Sequence, residues 1–158
     1  MALNKLELTI AIDAPLEKVW DELVDWESQG KWMLQTTVWT KNAGSTPADV
    51  EIFAFTGPLH FLYPRFKFLG LLDHMKITEW QPPHRCDVVH IGKVLKGTGT
   101  FQLTEKSPNS TIFYWSESVI APQLLFAVIR PFFTVGVWIS LRSLARLLKS
   151  KYGSRAGE

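Results

Sequence analysis

The sequence predicts a single α+β domain in which a curved antiparallel sheet of about seven strands wraps one long C-terminal helix. Three observations lead there. Short segments with β-type patterning follow one another with turn chemistry between them. One amphipathic helix interrupts that series after its first member. The last thirty or so residues lack turn signals and carry apolar positions at helical spacing.

Leu6, Leu8, Ile10 and Ile12 alternate with Glu7, Thr9 and Ala11, the period-two pattern of a half-buried strand. Asp13-Ala14-Pro15 ends it, with Asp13 or Ala14 as the expected cap and Pro15 at the first helical position. Leu16, Val19, Trp20, Leu23 and Val24 then form one helical stripe. A second short helical turn is expected from Glu27 to Trp32, bent away at Gly30.

Strands are predicted at 34–41, 50–56, 72–80, 86–93, 97–104 and 111–119. Asn42-Ala43-Gly44-Ser45, Pro82-Pro83 and Ser107-Pro108-Asn109-Ser110 supply turns between them. Short connections make neighbours antiparallel, so the sheet is a meander and not a βαβ arrangement. Gly92, Gly97 and Gly99 are candidate bulge positions. The stretch 57–71 is too aromatic for a solvated loop and too broken by Pro58, Pro64 and Gly70 for a strand. It is expected to lie over the pocket mouth as a lid, with Tyr63 and Phe66 toward the ligand.

From Pro122 to Lys151 the chain reads as one helix with a kink at Pro131. Its apolar first half passes for a membrane span by length, but Gln123, Arg130 and Pro131 favour a buried core helix. Leu141, Leu144 and Leu148 continue backward through Val137, Phe133, Ile129 and Phe126 as the core side. The other side runs from Arg142, Arg146 and Lys149 to Trp138, Val135, Val128 and Leu124. Apolar on both sides, this half must cover something with each. The outer patch predicts a homodimer through the long helix.

At 158 residues the chain fits one domain, expected to span 1–152 with a disordered tail at 153–158. Seven Trp and ten Phe pack space imperfectly and hint at a cavity. One cysteine, Cys86, excludes an internal disulfide and any zinc-finger spacing. The N-terminal residues lack a signal-peptide pattern, so a cytoplasmic location is expected. A formal charge of +2 gives no argument for nucleic acid, and the Trp residues lack basic interleaving.

The order strand, two helices, six strands, long helix is the helix-grip topology. The segment LTIAIDAPLEKVWDELVDWESQGKWM resembles the opening of the START-like, Bet v 1-like superfamily, also called SRPBCC. Ala14, Pro15, Val19, Trp20, Asp25, Trp26 and Trp32 carry that resemblance. The segment DHMKITEWQPPHRCDVVHIGKVLKGTGTF looks like a bacterial branch labelled polyketide cyclase/dehydrase and lipid transport. The likeness covers essentially the whole chain and implies a pocket between the concave face of the sheet and the long helix. Its motifs are mostly packing and turn residues, so they speak to fold more than to activity.

Strand parity assigns the pocket faces. Phe113, Trp115 and Glu117 oppose Tyr114, Ser116 and Ser118, and the two rings claim the interior. Phe101 and Leu103 point inward on 97–104, and Asp73, Met75 and Ile77 on 72–80. On 86–92 the set Cys86, Val88 and His90 opposes Asp87, Val89 and Ile91, and parity leaves both faces open. With Ile129, Phe126 and Phe133 from the helix, these residues form the expected ligand-binding set.

Asp73, His90 and Glu117 are the polar residues among them. They are either acid/base groups of an enzyme or a structural set that satisfies itself. Arg85, Lys93 and Arg130 are the cations available for an ion pair at the mouth. Gly97-Thr98-Gly99 lacks the third glycine and the helix of a dinucleotide motif, and there is no GxSxG elbow. Cys86, His84 and His90 lack a fourth donor for a metal, and the two-His-one-carboxylate iron pattern is not visible. The expected function is binding or carriage of a hydrophobic lipid, polyketide or aromatic molecule without metal or cofactor. A cyclase/dehydratase-type enzyme and a non-ligand interaction module are the alternatives.

Overall fold

The structure, a computed structural model, describes residues 1–153 apart from Ala43 and Ser45. The expected tail beyond Gly153, and part of the 42–45 turn, lie outside the described residues.

Strand β1 (Ala2–Ile12) leads into helix α1 (Leu16–Val24) and a 3-10 turn at Trp26–Lys31. Strands β2 (Thr36–Lys41), β3 (Glu51–Thr56), β4 (Leu71–Gln81), β5 (Arg85–His90), β6 (Gly97–Ser107) and β7 (Ser110–Ala121) follow, then helix α2 (Gln123–Tyr152). All seven strands form one antiparallel sheet in the order β1-β7-β6-β5-β4-β3-β2. Only the closing β1–β7 pair is non-sequential, which is how a meander curls round a helix. This is the α+β helix-grip architecture.

α1 starts one residue later than its proline suggested. Pro15 occupies the cap, in extended conformation, and its carbonyl accepts from the amides of Lys18 and Val19. Leu16, Val19, Trp20 and Leu23 are the buried stripe, and Trp20 meets Trp80 of β4 at 5.1 Å between ring centroids. The second half of α2 buries Leu141, Leu144 and Leu148 in the same core, with Ile12, Leu103 and Phe113 from the sheet. Each such side chain stabilises the fold by about 1.5–3 kcal/mol. Lys149 and Lys151 reach Asp13 and Glu22 at 2.9 Å and hold the helix end over α1.

Pro131 lies within one continuous helix, where its ring removes the bond that residue 131 would donate to Ala127. The register breaks fall at Ile77/Glu79 and Glu105/Ser107, not at the glycines. Pairing runs uninterrupted from Gly97 to Glu105, so Gly97 and Gly99 serve other ends. Gly97 has φ +146°, and a Cβ there would stand 1.7 Å from the Ser118 carbonyl oxygen. Gly97→Ala is therefore expected to cost roughly 1–3 kcal/mol. Urea denaturation checks it, and an unchanged midpoint would contradict the close approach.

The stretch 57–71 holds two 3-10 turns, His60–Leu62 and Lys67–Leu69. Its first part, through Tyr63, folds back over the outer face of β2 and β3, and its last residue, Leu71, reaches the cavity wall. Tyr63 stacks on Trp39 at 5.0 Å and lies 4.9 Å from Phe55, and His60 Nδ1 pairs with the Thr37 hydroxyl at 2.8 Å. Trp39, Phe53 and Phe55 share the parity opposite to Val38 and Ala54, so these rings form a convex-side stack. That stack, which buries Phe55 completely, is what the aromatic composition of the stretch serves.

Candidate functional site

Between the first half of α2 and the concave face lies a cavity of about 470 Å³, within the roughly 300–1,000 Å³ range of small-molecule sites. Its walls are mainly apolar. Met75, Phe101, Trp115, Ile129 and Phe133 line it as their parity predicts, and Phe133 packs on Trp115 at 6.3 Å. Asp73, His90 and Glu117 line it too, which resolves the open choice on β5: Cys86, Val88 and His90 face inward.

Three residues of the expected ligand-binding set do not line the cavity. Tyr63 stacks on the convex side, Phe66 packs near Phe68 in the same stretch, and Phe126 is buried in the core. Sequence reading also missed lining residues. Trp32 follows the 3-10 turn, Thr36 and Ala54 stand on β2 and β3, and Phe132, Gly136 and Ser140 come from α2. The period-two rule applied to β2 and β3 would have found Thr36 and Ala54. Ser140 has no sequence signal: its hydroxyl accepts from the Leu34 amide at 2.9 Å and donates to the Gly136 carbonyl.

The ionisable groups converge on one wall. His90 Nδ1 donates to both Asp73 oxygens, at 2.8 and 2.9 Å. Nε2 stands 2.6 Å from Glu117 Oε1, but it has no aligned hydrogen-bond partner, so this is an ion-pair contact. His90 on β5 reaches Glu117 on β7 across Gly99 of β6. A Cβ at Gly99 would lie 3.3 Å from Glu117 Oε2 and 3.6 Å from His90 Nε2. The absence of a side chain there lets two strands one apart share a contact. None of the ion pairs among the described residues brings Arg85, Lys93 or Arg130 to these carboxylates; Arg85 pairs with Asp87 on the outer face.

Burial opposes charge on His90 more strongly than any other single influence. The hydrogen bond to Asp73, the contact with Glu117 and both negative charges together outweigh it and raise His90 to about 10. Burial pushes Glu117 upward as well, opposed by His90 and assisted by Asp73. His90 is thus an imidazolium at neutral pH, which does not fit the general base that the sequence suggested. Its nitrogens are engaged or covered, so the carboxyl edges of Asp73 and Glu117 are what the wall presents to a ligand. Burial holds the Cys86 thiol up at about 12, an unreactive wall group. Among the described residues no cluster of three His, Cys, Asp or Glu side chains is disposed to hold a metal.

No protein-family model and no curated protein matches the chain. Solved structures do. The Zhui aromatase/cyclase from Streptomyces sp. R1128 superposes with a TM-score of 0.75 over 99% of this chain and 100% of that one, at 10% identity. The di-domain ARO/CYC StfQ from the steffimycin biosynthetic pathway gives 0.69 over 94% of this chain and 52% of that one, at 11% identity. A dimeric protein from Colwellia psychrerythraea gives 0.66 over 92% and 96%, at 21% identity. At these identities the likeness establishes architecture. The chain has the fold of the aromatase/cyclase structures, the helix-grip fold that its START-like, Bet v 1-like resemblance implies.

Proposed function

We propose that the chain binds a hydrophobic small molecule, lipid-like, polyketide or aromatic, in this cavity and sets it against the Asp73–His90–Glu117 wall. One observation carries the reading: an apolar cavity of about 470 Å³ with its buried charge gathered on a single wall, the layout that fixes both affinity and orientation of a ligand. Gly136 supports it. A glycine inside a helix costs about 1 kcal/mol relative to alanine, yet a Cβ at Gly136 would meet nothing within 4 Å. Packing does not require the glycine, and its lack of a side chain leaves that space to the cavity it lines.

The proposal is tested by native mass spectrometry of protein purified gently from its host, with denaturation to release any passenger. Near-stoichiometric apolar cargo is expected in the natural chain. Gly136→Phe, which puts a ring into the cavity, is expected to lower occupancy at least about tenfold while the helix stays folded. Equal occupancy in both proteins would sink the reading.

A second reading, an acid/base enzyme of the cyclase/dehydratase type, is favoured by the charge state of the wall. Glu117, raised by burial, is suited to deliver a proton to a ligand oxygen, with the His90 imidazolium stabilising the carboxylate left behind. The names of two structural neighbours are consistent with it. Glu117→Gln separates the readings: a carrier changes affinity only, whereas an enzyme loses turnover by orders of magnitude.

A further inference from the structure

The rim of the cavity is apolar and exposed to an extent that a finished surface does not show. Leu34, Ile129 and Phe132 line the cavity and are also open to solvent. Beside them Leu124 is 81%, Phe132 78%, Phe68 75% and Val94 74% exposed. Phe68 lies three residues before the lining residue Leu71, and Val94 directly before the lining residue Leu95. α2 is long and apolar enough to cross a membrane, yet only 17% of its most apolar window is buried in the molecule. The patch therefore combines the first half of α2, the 67–71 turn and the 91–96 loop around one opening. Contiguous apolar surface of this kind marks a docking face.

Its charge says what docks. The segments 57–71, 91–99 and 122–153 contain no Asp or Glu, although the chain has fifteen acidic residues in all. Lys93 and Lys96 flank the lining residue Leu95, and Arg130 follows the lining residue Ile129. Among the described residues none of these three is in an ion pair. A second copy is a poor fit, because a two-fold interface sets a patch against itself and this one has no carboxylate to offer its own cations. An apolar centre rimmed only by cations matches an anionic lipid surface, where rings enter the acyl boundary and lysines and arginines meet the headgroups.

We infer that the protein docks peripherally on anionic membranes through this rim, with the cavity mouth facing the bilayer. A hydrophobic cargo then passes between lipid and cavity without crossing water. The docking goes beyond the ligand-binding proposal and does not need cargo to be observed.

The test is co-sedimentation of the full chain with phosphatidylcholine vesicles, with and without roughly a third phosphatidylglycerol. The expected result is several-fold more protein on the anionic vesicles. That excess should fall when salt rises from about 0.1 to about 1 M and the Debye length shrinks from ~10 to ~3 Å. Phe68→Ser/Val94→Ser and Lys93→Glu/Lys96→Glu alter exposed side chains outside the cavity wall. Each should retain the wild-type melting curve and lose the anionic excess. Absence of sedimentation on either vesicle overturns the inference, as does binding that ignores both the salt and the variants. A stable dimer in vesicle-free solution, broken by Phe68→Ser/Val94→Ser, overturns it in favour of a second copy. Cargo recovered by native mass spectrometry in any of these cases leaves the pocket reading standing by itself.

Discussion

Replacing His90 with leucine is expected to lower the unfolding free energy by about 3–5 kcal/mol near neutral pH, the usual cost of removing one partner from a buried ionic set. His90 is 4% exposed, and Asp73 and Glu117 both turn to it. Without the imidazolium, two desolvated carboxyl groups share one wall with no nearby cation. Part of the loss should return in mildly acidic solution, where a carboxyl can take up a proton and stop repelling its neighbour. Asp73→Leu/His90→Leu/Glu117→Met is the informative companion. Removing the whole set leaves no orphaned charge, and burying apolar groups of similar volume in its place is often neutral or stabilising. Urea denaturation of both variants measures the pair. Recovery of most of the stability in the triple variant means that the wall is kept for what it does to a ligand. A loss below about 1 kcal/mol in His90→Leu would show that water reaches the set and that its charges are independent.

The legible part of the molecule is the part governed by local period. Alternation placed Trp115 and Glu117 on one face of β7, and Asp73 and Met75 on one face of β4, because two large rings or a run of aliphatics outweigh small polar neighbours in choosing the interior. On β5 the two faces carry Cys86, Val88, His90 and Asp87, Val89, Ile91, with similar apolar weight. There the choice comes from partners on β4 and β7, distant in sequence and invisible to periodicity. Gly99 shows the same limit. Read along its own strand it resembles a bulge; its function is to leave space for a contact between β5 and β7. The stretch 57–71 was readable as non-solvated but not as to what it covers, since Trp39, Phe53 and Phe55 also point away from the pocket. The two-sided apolarity of α2 was plain in the sequence. The chemistry of whatever meets its outer side emerges only when the basic 93–96 loop is found at the same opening.

Stability is expected to fall steadily as pH rises from about 6.5 to about 10, by on the order of 5 kcal/mol, with His90 as the main cause. The sign follows from proton counts. His90 holds its proton to about 10 in the folded chain and to 6.5 in the unfolded one. Between those values the folded state binds the extra proton, so its stabilisation is complete below 6.5 and gone once pH passes 10. Glu117 acts in the same direction, because a carboxyl raised by burial also keeps its proton longer when folded; its loss begins above its ordinary 4.5. Cys86, held at about 12 against 9.0, extends the decline above pH 9. Glu7 and Glu51 are lowered and work the other way, but their window is acidic and both are solvent-screened. The interval between about 6.5 and 9 therefore belongs mainly to His90. Unfolding free energies measured by urea across that interval should slope downward in the wild type. Asp73→Asn, which removes one of the two charges that raise His90, should flatten the slope. A level wild-type profile would mean that His90 titrates near 6.5 in the folded chain, and the charged wall would then be a neutral hydrogen-bonded one.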